Sequence, residues 1–354
     1  MSIVPDPTEP VQRSLSERVA RGAAWIVMAR FVIRSLGLIN TLVLARLLVP
    51  ADFGIVAVGL ALMQLLQNVS DIGVSQTVVK FRNADRVTFD TLFTMSAIRG
   101  AVVSSLLLIA APIAGHFYDD PRAVVVFICV SVVPLFHALL NPRYFEFERD
   151  LDFSKEFMTT AFNKFLGIAF SITIALVFRS YLAILMGLIV SAFTQMILSY
   201  IVRPYLPRFT LASFKELFGF TGWLTGVSFM AALNNKLDML FLTKMIGPAN
   251  AGAYYLGDSV AALPSQEVAT PLARAIYPGL SELQSKPDNM REAYLRGVEV
   301  LGLVAMPAAF GTSFVAADLV ALLLGEQWDL AIPMVRYFTP VAGLMVLFSA
   351  TQGY

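Results

Sequence analysis

The sequence predicts an all-α polytopic membrane protein made of two like-oriented helical lobes. Three observations support this fold class. Hydrophobic residues make up 57% of the 354 residues and charged residues only 14%, whereas charged residues are about 25% of an ordinary soluble domain. Apolar runs of about 20 residues, the length that crosses a bilayer as a helix, recur along the chain. A short turn motif also occurs twice, 198 residues apart.

Composition excludes several other classes of protein. The net charge is +1, so there is no global positive field of the kind that attracts nucleic acid. Cys129 is the single cysteine and lies inside an apolar run. A disulfide framework and a cysteine metal site are therefore excluded.

Residues 1–21 are predicted to form a cytoplasmic N-terminal tail. The first 13 residues are polar and contain three prolines, a composition typical of disorder. Ser14 and Glu17 have the spacing of a capping box, which predicts a helix that leads into the membrane. The apolar run that follows carries two arginines and no small-residue cleavage site, so we do not expect a cleaved signal peptide.

Ten apolar runs are long enough to span a membrane. They are too long for barrel strands and lack the alternation of such strands. The predicted spans are 22–47, 51–73, 92–115, 121–140, 158–178, 180–202, 216–244, 248–272, 294–317 and 331–352. The connections on the side of the N-terminus carry sixteen Lys and Arg residues, whereas the other side has only Arg46, Arg122, Arg179 and Lys244. By the positive-inside rule, the N-terminal side is cytoplasmic.

The first hairpin has a counterpart in the second half of the chain. The turn Pro50-Ala51-Asp52-Phe53-Gly54 recurs as Pro248-Ala249-Asn250-Ala251-Gly252, and Arg99-Gly100 recurs as Arg296-Gly297 at an offset of 197. Six spans separate the copies, so both halves have the same orientation. This predicts a six-span lobe at 22–205 and a second lobe at 206–354 with four spans. Counterparts of spans five and six would begin near residue 355, so we expect a truncated second lobe that lacks at least two spans.

The sequence contains no recognisable enzyme motif. It has no GxxxxGK phosphate loop, no HExxH zinc motif and no nucleophile with a suitable histidine partner. His116 and His137 are isolated near span ends, which is more typical of structural residues. Asp119-Asp120 resembles the metal-binding pairs of membrane glycosyltransferases, but a solvated turn is the simpler interpretation. We therefore expect a transporter with no catalytic residues, metal or cofactor, which draws on ion or substrate gradients.

Charged side chains inside the spans are the best functional signal, because an arginine at mid-membrane depth costs about 2.5–3.5 kcal/mol. Arg30 and Arg34 share one face of the first span, and that face must look into protein or a watery cavity. Lys236 and Asp238 fall at the matching depth of the seventh span once the offset is applied. A cavity with several cations suits an anionic group such as a phosphate or pyrophosphate.

Other polar residues in the spans have less specific interpretations. Asn40 is one of several amides that either bond to neighbouring helices or serve a hydroxyl-rich ligand. Asp258 and Glu267 are candidates for coupling transport to an ion. Lys164 and Arg336 either line a cavity or extend to the membrane interface. The stretch 319–328, which ends in a tryptophan, is predicted to be a short amphipathic segment on the outer surface.

Several stretches resemble the polysaccharide-transporter family of the multidrug/oligosaccharidyl-lipid/polysaccharide exporter superfamily. ARLLVPADFGIVAV, which follows the arginine-bearing first span, resembles the family's first hairpin. NNKLDMLFLTKMIGPANAGAYYLGDSVAALP is similar to its seventh and eighth spans. YPGLSELQ, MREAYLRG and LLLGEQWDLAIPMVRYF are similar to later parts of the family pattern. The resemblance covers residues 15–354, although members commonly have more than the ten spans predicted here.

This resemblance implies a flippase of the bacterial inner membrane, with its N-terminus in the cytoplasm. Such proteins move undecaprenyl-pyrophosphate-linked oligosaccharide repeat units to the periplasmic leaflet, for exopolysaccharide, capsule or O-antigen synthesis. Arg30, Arg34 and Lys236 would hold the pyrophosphate, while Asn40 and Asp238 would line the same cavity. The implied partners are the lipid-linked oligosaccharide and membrane lipid, with a polysaccharide polymerase and a chain-length regulator as further candidates.

Two alternatives stay open from the sequence. A cation-coupled multidrug exporter of the same superfamily would need intramembrane carboxylates in the first lobe, where only Asp71 near a span end is available. A membrane glycosyltransferase or polymerase, suggested by Asp119-Asp120, would predict a large periplasmic loop. All the predicted outer connections are short, so the flippase is the favoured hypothesis.

Overall fold

The computed structural model describes residues 15–70, 73–80, 85–150, 152–264 and 287–351. All regular secondary structure in these residues is helical, which confirms the predicted fold class. The α-helices are α1 Leu15–Leu47, α2 Pro50–Val69, α3 Val74–Lys80, α4 Arg86–Phe117, α5 Arg122–Ala138, α6 Glu146–Arg149, α7 Phe153–Phe178, α8 Leu182–Val202, α9 Phe214–Ala261, α10 Pro287–Phe314, α11 Ala316–Leu323 and α12 Ile332–Thr351. Short 3-10 helices lie at Pro142–Phe145 and Glu326–Ala331.

Six segments of the described chain are long and apolar enough to cross a membrane, and a bent pair of helices raises the number to seven. The six segments are Pro50–Val78, Arg86–Phe117, Ser154–Phe178, Leu182–Val202, Tyr294–Phe314 and Glu326–Phe348, and the bent pair is Arg122–Ala138 with Pro142–Arg149. All seven coincide with predicted spans. The remaining predicted spans, 22–47, 216–244 and 248–272, include positions whose side chains or placement lie outside the described residues.

Local backbone features set two of the helix boundaries. Helix α4 begins at Arg86, before the predicted span 92–115, because the backbone N–H of Thr88 donates to Asp85 Oδ1 at 2.8 Å. A side-chain cap of this kind fixes where a helix starts. Within α9 the helical backbone is interrupted and bends at Gly247, with φ 79° and ψ 162°, which agrees with the predicted boundary between the seventh and eighth spans. Glycine adopts this backbone conformation at little cost.

Small residues let neighbouring helices of the first lobe approach closely. A Cβ added at Gly167 would lie 2.7 Å from the carbonyl oxygen of Gly187, and a Cβ at Gly187 would lie 2.9 Å from that of Gly167. The Ser171 hydroxyl also crosses between the two helices and donates to the carbonyl oxygen of Ala183 at 2.9 Å. Close backbone contact and interhelical hydrogen bonds are how helices associate in lipid, so α7 and α8 form a closely packed pair.

Trp328 is inserted between the two halves of the chain. Its side chain is 0% exposed, and its ring meets that of Phe53 edge-on at 5.2 Å. The indole N–H donates to the carbonyl oxygen of Ala45 at 2.7 Å. Gln327 donates to the same oxygen at 2.6 Å and to that of Leu48 at 3.1 Å. The prediction of an interfacial tryptophan is therefore wrong, because Trp328 is buried and its N–H satisfies a carbonyl group at the end of α1.

We expect Trp328→Ala to lower the free energy of unfolding by about 3–5 kcal/mol, because it empties a fully buried site. Trp328→Phe keeps most of the ring and leaves Gln327 as a donor to Ala45, so its cost should be nearer ~1 kcal/mol. Thermal unfolding in detergent micelles would measure both. Tyr337→Ala, at an aromatic residue of α12 that is 69% exposed, is the control. Equal losses for Trp328→Ala and Tyr337→Ala would contradict this assignment.

Candidate substrate cavity between the lobes

A cavity of about 690 Å³ lies between the two halves of the chain. Its walls come from α1, α2, α7 and α8 on one side and from α9 and Leu324 on the other. The polar residues that line it are Arg34, Asn40, Thr41, Lys164, Tyr255, Asp258 and Ser259. Apolar side chains, among them Phe53, Leu60 and Leu256, complete the walls. A largely apolar hollow with a few convergent polar groups is the usual form of a ligand site.

Helix α1 contributes a stripe of residues to this wall. Arg34, Gly37, Thr41 and Leu44 all line the cavity, and their spacing of three or four residues places them on one helix face. A Cβ added at Gly37 would meet no atom within 4 Å, so the space beside this face is open. The side chain of Arg30, one turn before Arg34, lies outside the described part of the structure.

Asn40 presents an unused hydrogen-bond acceptor in the cavity wall. Its Oδ1 atom is buried and has no hydrogen-bond donor among the described residues. A buried acceptor without a partner costs about 1–3 kcal/mol. The hydroxyl or amide group of a bound ligand, or an ordered water, would remove that cost. Asn40 is therefore suited to a ligand that carries hydrogen-bond donors.

Lys164 adds a second cation to the cavity. It lies about 17 Å along α7 from Phe153, at 1.5 Å per residue, and its exposed side chain is part of the wall that also contains Arg34. The sequence left Lys164 undecided between a cavity and the membrane interface. Its depth within an apolar span indicated that Lys164 has a functional role. Only the rotation of α7 about its axis shows that the side chain lines the cavity.

The second half of the chain contributes a carboxylate to the same cavity. Asp258 and Ser259 lie in the part of α9 that follows the bend, and Tyr255 precedes them by one turn. Asp258 is exposed toward this space. Two cations and one carboxylate thus line a common hollow, with hydroxyl groups beside them. Such a set favours an anionic ligand that also carries hydroxyl groups.

The other predicted site residues lie elsewhere or outside the described chain. Asp238 is not part of this lining; it accepts a hydrogen bond from the Tyr254 hydroxyl at 2.7 Å. The Tyr254 ring meets Phe338 edge-on at 5.6 Å, which fixes the phenol. The side chain of Lys236 and the whole of Glu267 lie outside the described residues. Of the predicted set, the structure brings Arg34, Asn40 and Asp258 together.

The repeated turn lies next to the cavity, whose lining includes Phe53 and Leu324. This region is here called the turn face and is formed by residues 45–54, 118–122, 240–253 and 322–328. A Cβ added at Gly54 would overlap the carbonyl oxygen of Pro248, and one at Gly252 would overlap that of Pro50. Each added Cβ would also lie 2.9 Å from the backbone nitrogen of the opposite glycine. The two copies of the motif therefore pack on each other reciprocally, with backbone touching backbone.

Polar contacts also join the two halves of the chain on both sides of the glycine crossing at the turn face. Lys244 Nζ donates to Asp119 Oδ2 at 2.6 Å and lies 5.6 Å from the centre of the Phe117 ring. The Tyr118 hydroxyl donates to the carbonyl oxygen of Leu240 at 2.9 Å. Arg46 donates to the carbonyl oxygen of Leu322, on the side where Gln327 and Trp328 bind the end of α1. The halves are thus joined at the turn face around the glycine crossing.

An arginine clasp within the first half supports this face. Arg122 bridges Asp52 on α2, at 3.0 Å, and Asp120 in the preceding turn, at 2.8 Å. Its hydrogen bonds lower the pKa of Asp120 below the usual value, since they stabilise the carboxylate. The clasp holds the start of α2, and with it Gly54, against the α4–α5 turn.

The Asp119–Lys244 contact is expected to weaken in acid. The hydrogen bond from Lys244 lowers the pKa of Asp119, so the contact contributes fully above the ordinary aspartate pKa and is lost as the pH falls through the lowered value. The contribution of this contact to closure of the turn face should therefore be independent of pH between about pH 5 and about pH 9 and weaken below about pH 4. Comparing wild type with Asp119→Asn tests this through cysteine accessibility at the turn face. The prediction would be contradicted if the labelling rates of wild type and Asp119→Asn differed by the same factor at every pH down to the lowest at which the protein stays folded.

Curated proteins of polysaccharide biosynthesis match nearly the whole chain. It is 26% identical over 344 residues to the lipopolysaccharide biosynthesis protein WzxC of Escherichia coli, covering 94% of this chain and 68% of WzxC. It is 24% identical over 335 residues to the succinoglycan biosynthesis transport protein ExoT of Rhizobium meliloti, covering 94% of this chain and 66% of ExoT. The chain thus spans about two thirds of the length of these relatives.

Solved structures of transporters share the fold. The chain superposes on the lipid II flippase MurJ, in an inward closed conformation, with a TM-score of 0.66 at 12% identity, covering 92% of this chain and 76% of MurJ. It also superposes on an inward-facing multidrug resistance transporter of the MATE family and the MOP superfamily, with a TM-score of 0.63 at 14% identity, covering 90% of this chain and 80% of that one. At such identities the likeness concerns the fold alone.

A sequence profile described as "Polysaccharide biosynthesis protein" matches residues 43–333. These residues include both copies of the repeated turn, α2 to α8, and most of the cavity wall. The family resemblance seen in the sequence is therefore confirmed. This chain is a multi-pass membrane protein that belongs to the polysaccharide biosynthesis protein family.

Proposed function

We propose that the protein is a flippase for undecaprenyl-pyrophosphate-linked oligosaccharide repeat units, in the inner membrane of a bacterium. The observation that carries the proposal is the cavity between the halves, where Arg34 and Lys164 meet Asn40 and Asp258 beside a closed turn face. Relatives named for lipopolysaccharide and succinoglycan biosynthesis support the substrate class. The protein itself makes and breaks no covalent bond in this proposal.

The cavity matches the chemistry of the proposed head group. The planar guanidinium of Arg34 suits two oxygens of a phosphate, and Lys164 adds a compact second charge. Hydrogen bonds to charged groups contribute about 1.5–3 kcal/mol each. The unpaired Oδ1 of Asn40 would accept a hydrogen bond from a sugar hydroxyl, and Ser259 and Tyr255 offer hydroxyl groups of their own. The isoprenoid chain would stay in lipid between the halves.

Transport would proceed by alternating access of this one cavity. The structure then represents a state closed at the turn face, and the glycine crossing is the contact that must separate. With the N-terminus in the cytoplasm, as the distribution of basic residues predicts, the turn face is periplasmic. The substrate would enter from the cytoplasmic leaflet and leave when the turn face opens.

Asp258 and Glu267 remain our candidates for coupling to an ion. Asp258 lies in the wall shared with two cations, so its charge would change the affinity of the cavity for an anion. Arg30, Lys236 and Asp238 would complete the substrate path at other depths. A polysaccharide polymerase and a chain-length regulator are the proposed partners downstream. A cationic drug fits less well, since cations outnumber carboxylates among the described lining residues.

The test uses a strain that lacks the complete gene. We expect loss of surface polysaccharide and accumulation of lipid-linked repeat units that face the cytoplasm, both restored by the wild-type gene. Periplasmic access to the repeat units, probed with an enzyme that cannot cross the membrane, distinguishes flipping from polymerisation. Repeat units that reach the periplasm normally in the deletion strain would refute the proposal.

A further inference from the structure

The segment Arg203 to Ser213, here called the strap, joins α8 to α9 and lies along the start of α4 without helical structure. Its backbone N–H groups donate to side chains of α4: Arg208 to Asp90 at 2.9 Å and Thr210 to Thr94 at 3.0 Å. Both acceptors are buried. Side chains of one helix face therefore satisfy two backbone N–H groups of the strap.

Three large apolar side chains of the strap are exposed, although the ring of Phe209 also lies 5.6 Å from that of Phe93 on α4. Leu206 is 82% exposed, Phe209 is 76% exposed and Leu211 is 47% exposed. Further along α4, Ile98 and Ile109 are also exposed, within the membrane-crossing segment Arg86–Phe117. The strap is thus an apolar surface at the end of a helix that faces lipid.

A second cavity, of about 480 Å³, opens beside the strap and is here called the strap cleft. Its lining residues are Arg86, Phe89, Arg143, Pro204, Tyr205 and Leu206. Among these described residues the charged side chains are two arginines. Both guanidinium groups approach the Tyr205 ring, with their central carbons 5.9 Å (Arg86) and 5.5 Å (Arg143) from its centre. The guanidinium groups of Arg86 and Arg143 therefore lie on either side of one ring or beside it, and their separation cannot exceed the sum of these two distances.

Nearby carboxylates compensate these arginines only in part. Arg86 is 3.8 Å from Asp90, which also accepts hydrogen bonds from Tyr205 and from the strap backbone. Arg143 is 3.3 Å from Glu146. Two more arginines, Arg149 and Arg203, also pair with Glu146, at 3.2 Å and 3.6 Å. Arg149 and Arg203 also pair with Asp150, at 3.2 Å and 3.0 Å. These four arginines therefore share three carboxylates, which leaves an excess of positive charge among the described groups at the cleft.

We propose that the strap cleft binds the phosphate head group of an anionic membrane phospholipid, whose acyl chains lie against Leu206, Phe209 and Leu211. Charge complementarity selects the phosphate, since two guanidinium groups present forked donors to its oxygens. The exposed apolar side chains select a lipid over a free anion, because they gain by contact with acyl chains and a soluble phosphate gives them none. The connection between the lobes is then anchored to the membrane surface, whatever substrate the protein carries.

The main experiment measures lipid retention by native mass spectrometry after release from nanodiscs of phosphatidylcholine with or without phosphatidylglycerol. We expect wild type to keep phosphatidylglycerol selectively, and Arg86→Gln/Arg143→Gln to retain it about tenfold less, since each substitution removes charged contacts. Lys155→Gln is the matched control. Its side chain has the same 56% exposure as Arg86 and pairs with Asp152 at 3.5 Å, outside the cleft.

Three results would overturn the proposal. Equal retention of both lipids by wild type would show that the protein does not select the anionic lipid. An equal loss of retention in Lys155→Gln would show that any surface charge has this effect, not the two arginines of the cleft. Competition by inorganic phosphate at the concentration of the lipid would show a site for a free anion. If the double arginine variant does not fold, Leu206→Cys in a Cys129→Ala background, labelled with a polarity-sensitive dye, gives an independent readout. Its emission in nanodiscs should be blue-shifted relative to a label at Lys155→Cys, and identical emission would refute acyl contact.

Discussion

Arg34→Ala is expected to reduce transport of the lipid-linked repeat unit at least about tenfold, because a charge-assisted hydrogen bond contributes about 1.5–3 kcal/mol. Arg34 lies in the cavity wall with Lys164, Asn40 and Asp258, so its loss leaves one described cation in that wall. The cell should show less surface polysaccharide and more lipid-linked repeat unit in the cytoplasmic leaflet. Membrane levels of the protein must be equal for the comparison to count.

Matched variants separate a substrate contact from a packing role. Lys164→Ala should act in the same direction as Arg34→Ala. Lys155→Ala removes the same charge from the same helix, nine residues earlier and at a side chain that is 56% exposed, and should leave transport unchanged. Arg34→Lys keeps the charge without the planar fork and should fall between wild type and alanine. Normal polymer in both Arg34→Ala and Lys164→Ala would refute the cavity assignment.

Gly54→Ala is expected to open the turn face. The new Cβ would overlap the carbonyl oxygen of Pro248 and lie 2.9 Å from the backbone nitrogen of Gly252. Backbone atoms cannot rotate away as a side chain can, so α2 and α9 must separate there. Overpacking of this kind costs about 1–3 kcal/mol, which corresponds to a shift of roughly 5–150-fold toward the open state. Gly252→Ala should act in the same way, since the contact is reciprocal.

Cysteine accessibility measures this opening. Ala253 is 1% exposed at the junction of the lobes, so Ala253→Cys in a Cys129→Ala background should react with a membrane-impermeant maleimide only when the turn face is open. Gly54→Ala should accelerate that reaction. Gly311→Ala is the control, because a Cβ there meets nothing within 4 Å and alanine favours a helix interior. Equal labelling rates in Gly54→Ala and Gly311→Ala would refute the steric explanation.

Much of the fold could be predicted from the sequence because its determinants are local. The length of an apolar run and the lack of alternation set the number and type of the membrane-crossing helices. Seven predicted spans coincide with membrane-crossing segments of the described chain. The offset between Pro50 and Pro248 located two turns that the structure packs against each other. The lobe limits at 22–205 and 206–354 stay predictions.

The candidate site could be predicted only in part. The cost of a charge in lipid pointed to Arg34 and Asp258, and both line the cavity. The same reasoning included Asp238, which instead accepts a hydrogen bond from Tyr254, and it left Lys164 undecided. Cost alone shows that a charge must avoid lipid, but several environments meet that need: a cavity, a hydrogen-bonded partner or the interface.

The sequence by itself determined the helices and their hydrophobic faces, since these depend on residues close together in the chain. It also determined the internal repeat, which is found by direct comparison of one stretch of sequence with another. Only the tertiary structure decided which faces meet. Trp328 was predicted to lie at the membrane interface because it ends a short amphipathic segment. In the structure it is fully buried against Phe53 and donates a hydrogen bond to the end of α1. Lys164 lines the same cavity as Arg34 because of the way α7 is rotated about its axis. The strap lies along α4 because its backbone N–H groups donate to side chains on one face of that helix. The physical reason is that helix rotation and crossing are fixed by contacts between distant residues, and no local pattern records them.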